Sequence, residues 1–279
     1  MKIKFLGTSA GWPLPRLGCK CHICQSKDPK DTRTRTQVLI DDKVLLDAGP
    51  DTYQHLMDLD SSPLDKLRAQ NDSEKGQVDK VDSRESIVSK LQAILVSHEH
   101  PDHILGFWDL PHLYDHGHEI KLYVTQPVLN GIRKIFPVPL TPIKPVVVKP
   151  NQPFQIGNAK VTYVPVVHGN TPAFAIKYKD GKIFTFITDF NRILPSSQDM
   201  IRHSHMLALD GSSLGKVGQS PNHISIADGI AIGQKLKAKS IYFIHIGHKT
   251  DTQVNLEEYL RQNAGPNFHI AYDNLEIEL

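Results

Sequence analysis

Short runs of apolar residues, each closed by a polar turn, set the grammar of this chain. Residues 2–6, 37–40 and 44–46 alternate or carry β-branched side chains, and the last run ends at Asp47-Ala48-Gly49-Pro50-Asp51, so all three predict strands. Residues 91–96 form a compact apolar run, the signature of a buried strand, that leads directly into Ser97-His98-Glu99-His100-Pro101-Asp102-His103. Further strands are predicted over 121–124, 146–149, 160–167, 173–177 and 182–188, with Lys179-Asp180-Gly181-Lys182 turning a hairpin between the last two. Residues 225–237 read as a helix opened by a Ser225/Asp228 capping box, and 240–244 as another strand. The charged stretch 61–90 lacks apolar periodicity before Ile87 and reads as a solvated insertion. The pattern predicts the α/β class, two packed sheets flanked by helices, in one domain over residues 1–279.

Composition narrows the classes. The 279 residues are 39% hydrophobic and 22% charged, which sets aside disordered, collagen-like and coiled-coil chains. With 32 Lys and Arg against 30 Asp and Glu, the net charge of +2 is too balanced for a protein that grips nucleic acid by charge. No apolar run approaches the roughly 18 to 20 residues of a membrane span, and no basic region followed by an apolar run opens the chain. The three cysteines, Cys19, Cys21 and Cys24, are odd in number and too close together for a disulfide framework. A cytoplasmic location without a membrane partner is therefore expected. Histidine is the departure, with 15 residues, several clustered.

His98-x-His100-x-Asp102-His103 places four potential metal ligands within six residues, just after a buried strand. Pro101 predicts an irregular loop that turns these side chains toward different points, enough for two ions: His98 and His100 on one, Asp102 and His103 on its neighbour. His168, Asp189 and His245 each stand just past a predicted strand, and ligands at equivalent strand ends can converge on one sheet edge. Taken singly, His168-Gly169 also reads as a turn, Asp189 as a helix cap and His245 as a core histidine.

This order of residues, with Asp47-Ala48-Gly49 upstream, resembles the metallo-β-lactamase superfamily, whose members fold as an αββα sandwich with a two-metal site at one edge. The resemblance implies that His98, His100 and His168 hold one ion, that Asp102, His103 and His245 hold the other, and that Asp189 bridges them. It gives Asp47 the supporting role of orienting a ligand.

The opening Gly7-Thr8-Ser9-Ala10-Gly11-Trp12-Pro13, followed by Cys19-x-Cys21-x2-Cys24, is similar to a narrower group, the PhnP-like phosphodiesterases that open a cyclic phosphate on ribose in phosphonate degradation. That resemblance implies a structural zinc on Cys19, Cys21, Cys24 and His248. Three thiolates and an imidazole make a closed tetrahedral site able to tie down a loop. It also makes His223, in Pro221-Asn222-His223, a catalytic histidine acting as general acid, with Asp102 the second catalytic residue. His22, between the cysteines, is a poorer fourth ligand.

The implied cofactors are two catalytic divalent ions, zinc or manganese, and one structural zinc. The implied partner is a small cyclic phosphodiester such as ribose 1,2-cyclic phosphate or a nucleoside 2′,3′-cyclic phosphate, with a homodimer left open. The rivals are a tRNA 3′-end endonuclease, whose protruding arm has no room between His168 and Asp189, and a non-enzymatic carrier on the same fold.

Overall fold

Both faces of the central strands carry apolar side chains, so each strand must be covered twice, and the chain solves this with two sheets packed face to face under outer helices. The computed structural model describes residues 1–60, 87–110, 119–136, 143–215 and 221–279. The first sheet comprises β1 (Lys2–Gly7), β2 (Gln37–Ile40), β3 (Val44–Leu46), β4 (Ala93–Leu95), β5 (Lys121–Thr125), β6 (Lys144–Val148) and β14 (Glu276–Glu278), in the order β14-β1-β2-β3-β4-β5-β6. The second comprises β7 (Phe154–Ile156), β8 (Ala159–His168), β9 (Thr171–Asp180), β10 (Lys182–Ile187), β11 (Met206–Asp210), β12 (Ser240–Ile244) and β13 (Phe268–Ile270), in the order β13-β12-β11-β10-β9-β8-β7. From β14 the first sheet runs through antiparallel pairs to β3 and parallel pairs beyond it. From β7 the second does the same, switching at β10. Asp47 after β3 and Asp189 after β10 therefore occupy equivalent places, both at positive φ (60° and 52°).

Period-two alternation sorts the second sheet. On β11, Met206 and Ala208 join the core shared by the two sheets, whereas Leu207 and Leu209 pack in the cluster under the helices. The helix Ile226–Leu236 lies so close on that sheet that a Cβ at Gly229 would fall 2.3 Å from Phe243. Its Ser225/Asp228 capping box is formed.

Several expectations need adjustment. The segment after Pro101 is a one-turn helix, Pro101–Ile104, because proline at the first helical position loses no hydrogen bond and presets φ. Strands β7, β11, β13 and β14 and the helices Thr52–Asp60, Gln126–Ile135, Pro195–Ile201 and Gln253–Asn263 are additional to the predicted elements. Most of the expected insertion, residues 61–86, lies outside the described residues, and Ile87–Lys90 is a helical turn leading to β4. No helix among the described residues is long and apolar enough to cross a membrane.

Candidate metal centre

The parallel strands deliver their carboxyl ends to one edge of the sandwich, and the chemically distinctive side chains sit there. Asp47 follows β3, the histidine cluster follows β4, His168 ends β8, Asp189 follows β10, Asp210 ends β11 and His245 follows β12. His245, like Asp47 and Asp189, is left-handed (φ 56°), which turns the chain sharply as it leaves the sheet. His100 stays extended as N-cap of the short helix while Asp102 and His103 are helical, so neighbours in sequence aim at different points. A Cβ at Gly49 would fall 2.1 Å from the Asp102 carbonyl oxygen, so only glycine lets the Asp47 loop lie against the ligand segment.

The donors form two sets that share Asp189. Its Oδ2 lies 3.4 Å from His98 Nε2 and 3.7 Å from His168 Nε2, and His168 Nε2 is 3.1 Å from His100 Nδ1. Its Oδ1 lies 3.1 Å from His245 Nε2 and 3.4 Å from His103 Nε2, and Asp102 Oδ2 is 3.2 Å from His103 Nε2. Ligands about 2.0–2.2 Å from a tetrahedral ion stand roughly 3.3–3.6 Å apart, and the 3.1–3.7 Å separations here are close to that spacing. The ring atoms His98 Nε2, His103 Nε2 and His245 Nε2 are buried and have no hydrogen-bond partner, a costly state unless a cation takes their lone pairs. The residues thus fit divalent cations.

Electrostatics agree. Burial works to lower His245, but the charges of Asp189 and Asp102 with Asp210 push it up to about 10. His103 is likewise raised well above the imidazole range despite its burial, by Asp102, Asp189 and Asp47. His100 goes the other way, to about 4, through burial and the neighbouring His98 and His168. The carboxylates thus favour positive charge in the set of Asp102, His103, Asp189 and His245.

Outer partners fix the rings. Asp47 Oδ2 accepts from His103 Nδ1 (2.7 Å) and Ser97 Oγ (2.8 Å), while Oδ1 accepts the Ser97 amide (2.7 Å). His168 Nδ1 donates to the Asn222 carbonyl (2.8 Å), and Thr171 Oγ1 lies 3.1 Å from His100 Nε2. His223 Nδ1 meets Asp210 Oδ2 at 2.8 Å, and the His223 ring stacks on His245 with centroids 5.1 Å apart. Burial lowers His223, yet the Asp210 hydrogen bond and charge outweigh it and the net shift is upward. Asp210 escaped the sequence reading, although it ends an apolar run just as Asp189 does.

A separate set joins Cys19, Cys21, Cys24 and His248, whose ligand atoms lie within 4.8 Å of one another. His248 Nε2 is 3.2 Å from Cys19 Sγ and 3.1 Å from Cys21 Sγ. The Cys24 backbone amide, aided by the other thiols and His248, draws the Cys21 thiol down to about 6 against its burial. His22 turns away to Asp251 (3.0 Å). Over the histidine and aspartate sets opens a cavity of about 710 Å³ lined by Trp12, Arg16, Asp102, His223 and Lys249 among others. Arg16 lies over the Trp12 ring (5.4 Å), and its buried Nε has no hydrogen-bond partner. His112, His116 and His118 lie outside the described residues.

Fold and site together define a metallo-β-lactamase-type hydrolase fold. Residues 42–246 match the family model described as a beta-lactamase superfamily domain, and the chain belongs to that superfamily. Within it, the chain is similar to a diphosphatase from the PhnP family, with 28% identity and a TM-score of 0.77 over 100% of this chain and 97% of that one. It is 31% identical over 289 residues to the octanoyltransferase of Porphyromonas gingivalis, covering 99% of this chain and 51% of that protein, so it spans about half the length of this relative. Zn(2+)-bound PqqB from Methylobacterium extorquens shares the fold, with a TM-score of 0.74 at 19% identity and full coverage of both chains.

Proposed function

We propose that this protein hydrolyses a small phosphodiester, with five-membered cyclic phosphates on ribose as the leading class, at a pair of divalent cations, zinc or manganese. The observation that carries the reading is the Asp189 carboxylate, which offers one oxygen to each of two separate ligand sets beneath a single cavity. His98, His100 and His168 with Asp189 Oδ2 would hold one ion, and Asp102, His103 and His245 with Asp189 Oδ1 the other. When bound, such a pair supplies Lewis-acid polarisation of a phosphoryl oxygen and hydroxide at neutral pH. A further zinc on Cys19, Cys21, Cys24 and His248 would brace the loop that carries Arg16.

The protein's own groups do the rest. His223 serves as the acid for the departing ribose oxygen. Its Nδ1 is committed to Asp210, so the proton it gives is the one on Nε2, and Asp210 both aligns the ring and favours its protonated form. Arg16 and Lys249 make no ion pair among the described residues and supply positive charge at the cavity wall, which suits an anionic substrate. A neutral acyl ester, the substrate type suggested by the octanoyltransferase relative, would leave both cations uncompensated. Strands β9 and β10 occupy the interval from His168 to Asp189, where a tRNA-binding arm would have to emerge. The likeness to a PhnP-family diphosphatase supports chemistry at phosphorus.

The test is a substrate panel assayed with and without chelator: ribose 1,2-cyclic phosphate, a nucleoside 2′,3′-cyclic phosphate, bis(nitrophenyl) phosphate, a tRNA precursor and nitrophenyl octanoate. Chelator-sensitive turnover of the phosphodiesters is expected. Turnover of the octanoate ester alone, or of the tRNA precursor alone, would refute the reading.

A further inference from the structure

A buried polar chain runs beneath the metal centre and takes no part in the chemistry above. Arg33, only 1% exposed, donates to Thr8 Oγ1 (2.7 Å), to the Ala271 carbonyl (2.6 Å) and to Gln253 Oε1. Thr8 Oγ1 donates to Asp273 Oδ1 (2.7 Å), while Asp273 Oδ2 accepts the Thr34 amide (2.6 Å) and lies 2.6 Å from Thr34 Oγ1. Thr34 Oγ1 is 2.7 Å from His55 Nε2, and His55 Nδ1 is 2.6 Å from Gln37 Oε1. Gln37 Nε2 donates to the Asp47 carbonyl (2.9 Å) and to Thr52 Oγ1 (2.8 Å). Through its carboxylate, Asp47 then orients His103.

Donors and acceptors along this chain allow one direction. A carbonyl can only accept, so Gln37 must turn its amide nitrogen to Asp47 and its oxygen to His55. That oxygen in turn requires a proton on His55 Nδ1. If His55 is neutral, its Nε2 accepts the single Thr34 hydroxyl proton, for which the Leu6 carbonyl at 3.5 Å is a much longer alternative, and the short Thr34–Asp273 contact is then satisfied by a proton on Asp273. If Asp273 is ionised, Thr34 gives its proton to Asp273, and His55 needs a second proton on Nε2. Either way the chain holds one extra proton shared between Asp273 and His55. Burial acts against charge at both ends, raising Asp273 and lowering His55, and both directions favour Asp273 as the holder of that proton.

We propose that Gln37 is a positioning residue for the metal centre, oriented by a one-proton relay that runs from Asp273 through Thr34 to His55. Asp47 is left-handed, so its carbonyl leaves the strand ladder and Gln37 supplies its acceptor need. Without Gln37 that peptide loses its anchor, and the carboxylate that holds His103 at 2.7 Å loses its fixed origin. The proposal rests on the reading that His103 belongs to a cation site.

The experiment pairs cobalt titration of wild type and Gln37→Met with nitrogen NMR of the wild-type histidines. Cobalt on the cysteine set is distinguished by its thiolate absorption. Gln37→Met is expected to bind one of the two remaining equivalents about 10- to 100-fold more weakly, the range typical for loss of a partner that orients a ligand, and the other as wild type does. His55 is expected as the Nδ1–H tautomer. Two undisturbed equivalents in Gln37→Met would overturn the proposal alone, and wild-type protein that takes up no cobalt outside the cysteine set would overturn the metal reading with it. An Nε2–H tautomer at His55 would break the direction of the relay, a result that stands even where Gln37→Met fails to fold.

Discussion

His55 offers a quantitative test of the buried chain through stability. The residue is buried, and burial lowers it from the ordinary 6.5 to about 4 despite the nearby charges of Asp51 and Asp58. A group whose folded pKa is depressed is less protonated in the native state than in the unfolded one. Its contribution is complete above pH 6.5 and is lost as pH falls from 6.5 toward 4. The full shift corresponds to about 3 kcal/mol, and between pH 7.5 and 5.5 the loss is about 1.3 kcal/mol. Replacing His55 by Gln keeps a donor for Gln37 Oε1 and removes the titration. Asp273, which burial raises, acts in the opposite sense and is coupled to His55 through Thr34, so the comparison is repeated in an Asp273→Asn background, where the difference isolates His55. Urea unfolding of wild type and His55→Gln at pH 7.5, 6.5 and 5.5, with metal content matched, reads the effect directly. Wild type is expected to lose about 1.3 kcal/mol more than the variant over this interval. Parallel pH profiles would show that His55 is not held neutral and would refute the burial argument.

Asp189→Ala is expected to weaken both ions of the catalytic pair and abolish turnover, whereas Asp102→Ala empties principally one; elemental analysis separates the two, and equal metal content in wild type and Asp189→Ala would contradict the bridge. Mild chelation is expected to strip that pair and leave one zinc on the cysteine set, and Cys21→Ser should forfeit this residual zinc and lower the melting temperature more than it changes turnover of the protein that stays folded. His223→Ala is expected to lower kcat by about 10²- to 10⁴-fold on ribose cyclic phosphate and far less on a nitrophenyl diester, whose leaving group departs without a proton. Asp210→Asn should follow the same pattern more weakly, and equal losses on both substrates would remove the general-acid role.

Much of this protein is local in origin and was legible in its sequence. Period-two apolar runs closed by turn residues give most of the strands, Ser225 and Asp228 announce a helix start, and the density of His98, His100, Asp102 and His103 marks a cation site because few other roles need four such donors so close together. Short strands such as β7, β13 and β14 carry too few residues to show a period, and their existence depends on a neighbour that pairs with them. Asp210 and Arg16 were invisible for a related reason, since an aspartate after a strand and an arginine in a loop are ordinary until the fold brings one to His223 and the other to the cavity wall. Only the folded chain brings Asp210 to His223, sets Arg16 over Trp12 at the cavity wall, and runs a line of hydrogen bonds from Arg33 to Asp47. The order of residues along the chain names the side chains that can donate to a cation. Packing in three dimensions turns the two oxygens of Asp189 toward different sets, because that arrangement follows from the left-handed turn at a strand end and the packing of two sheets, and neither is encoded within a few residues.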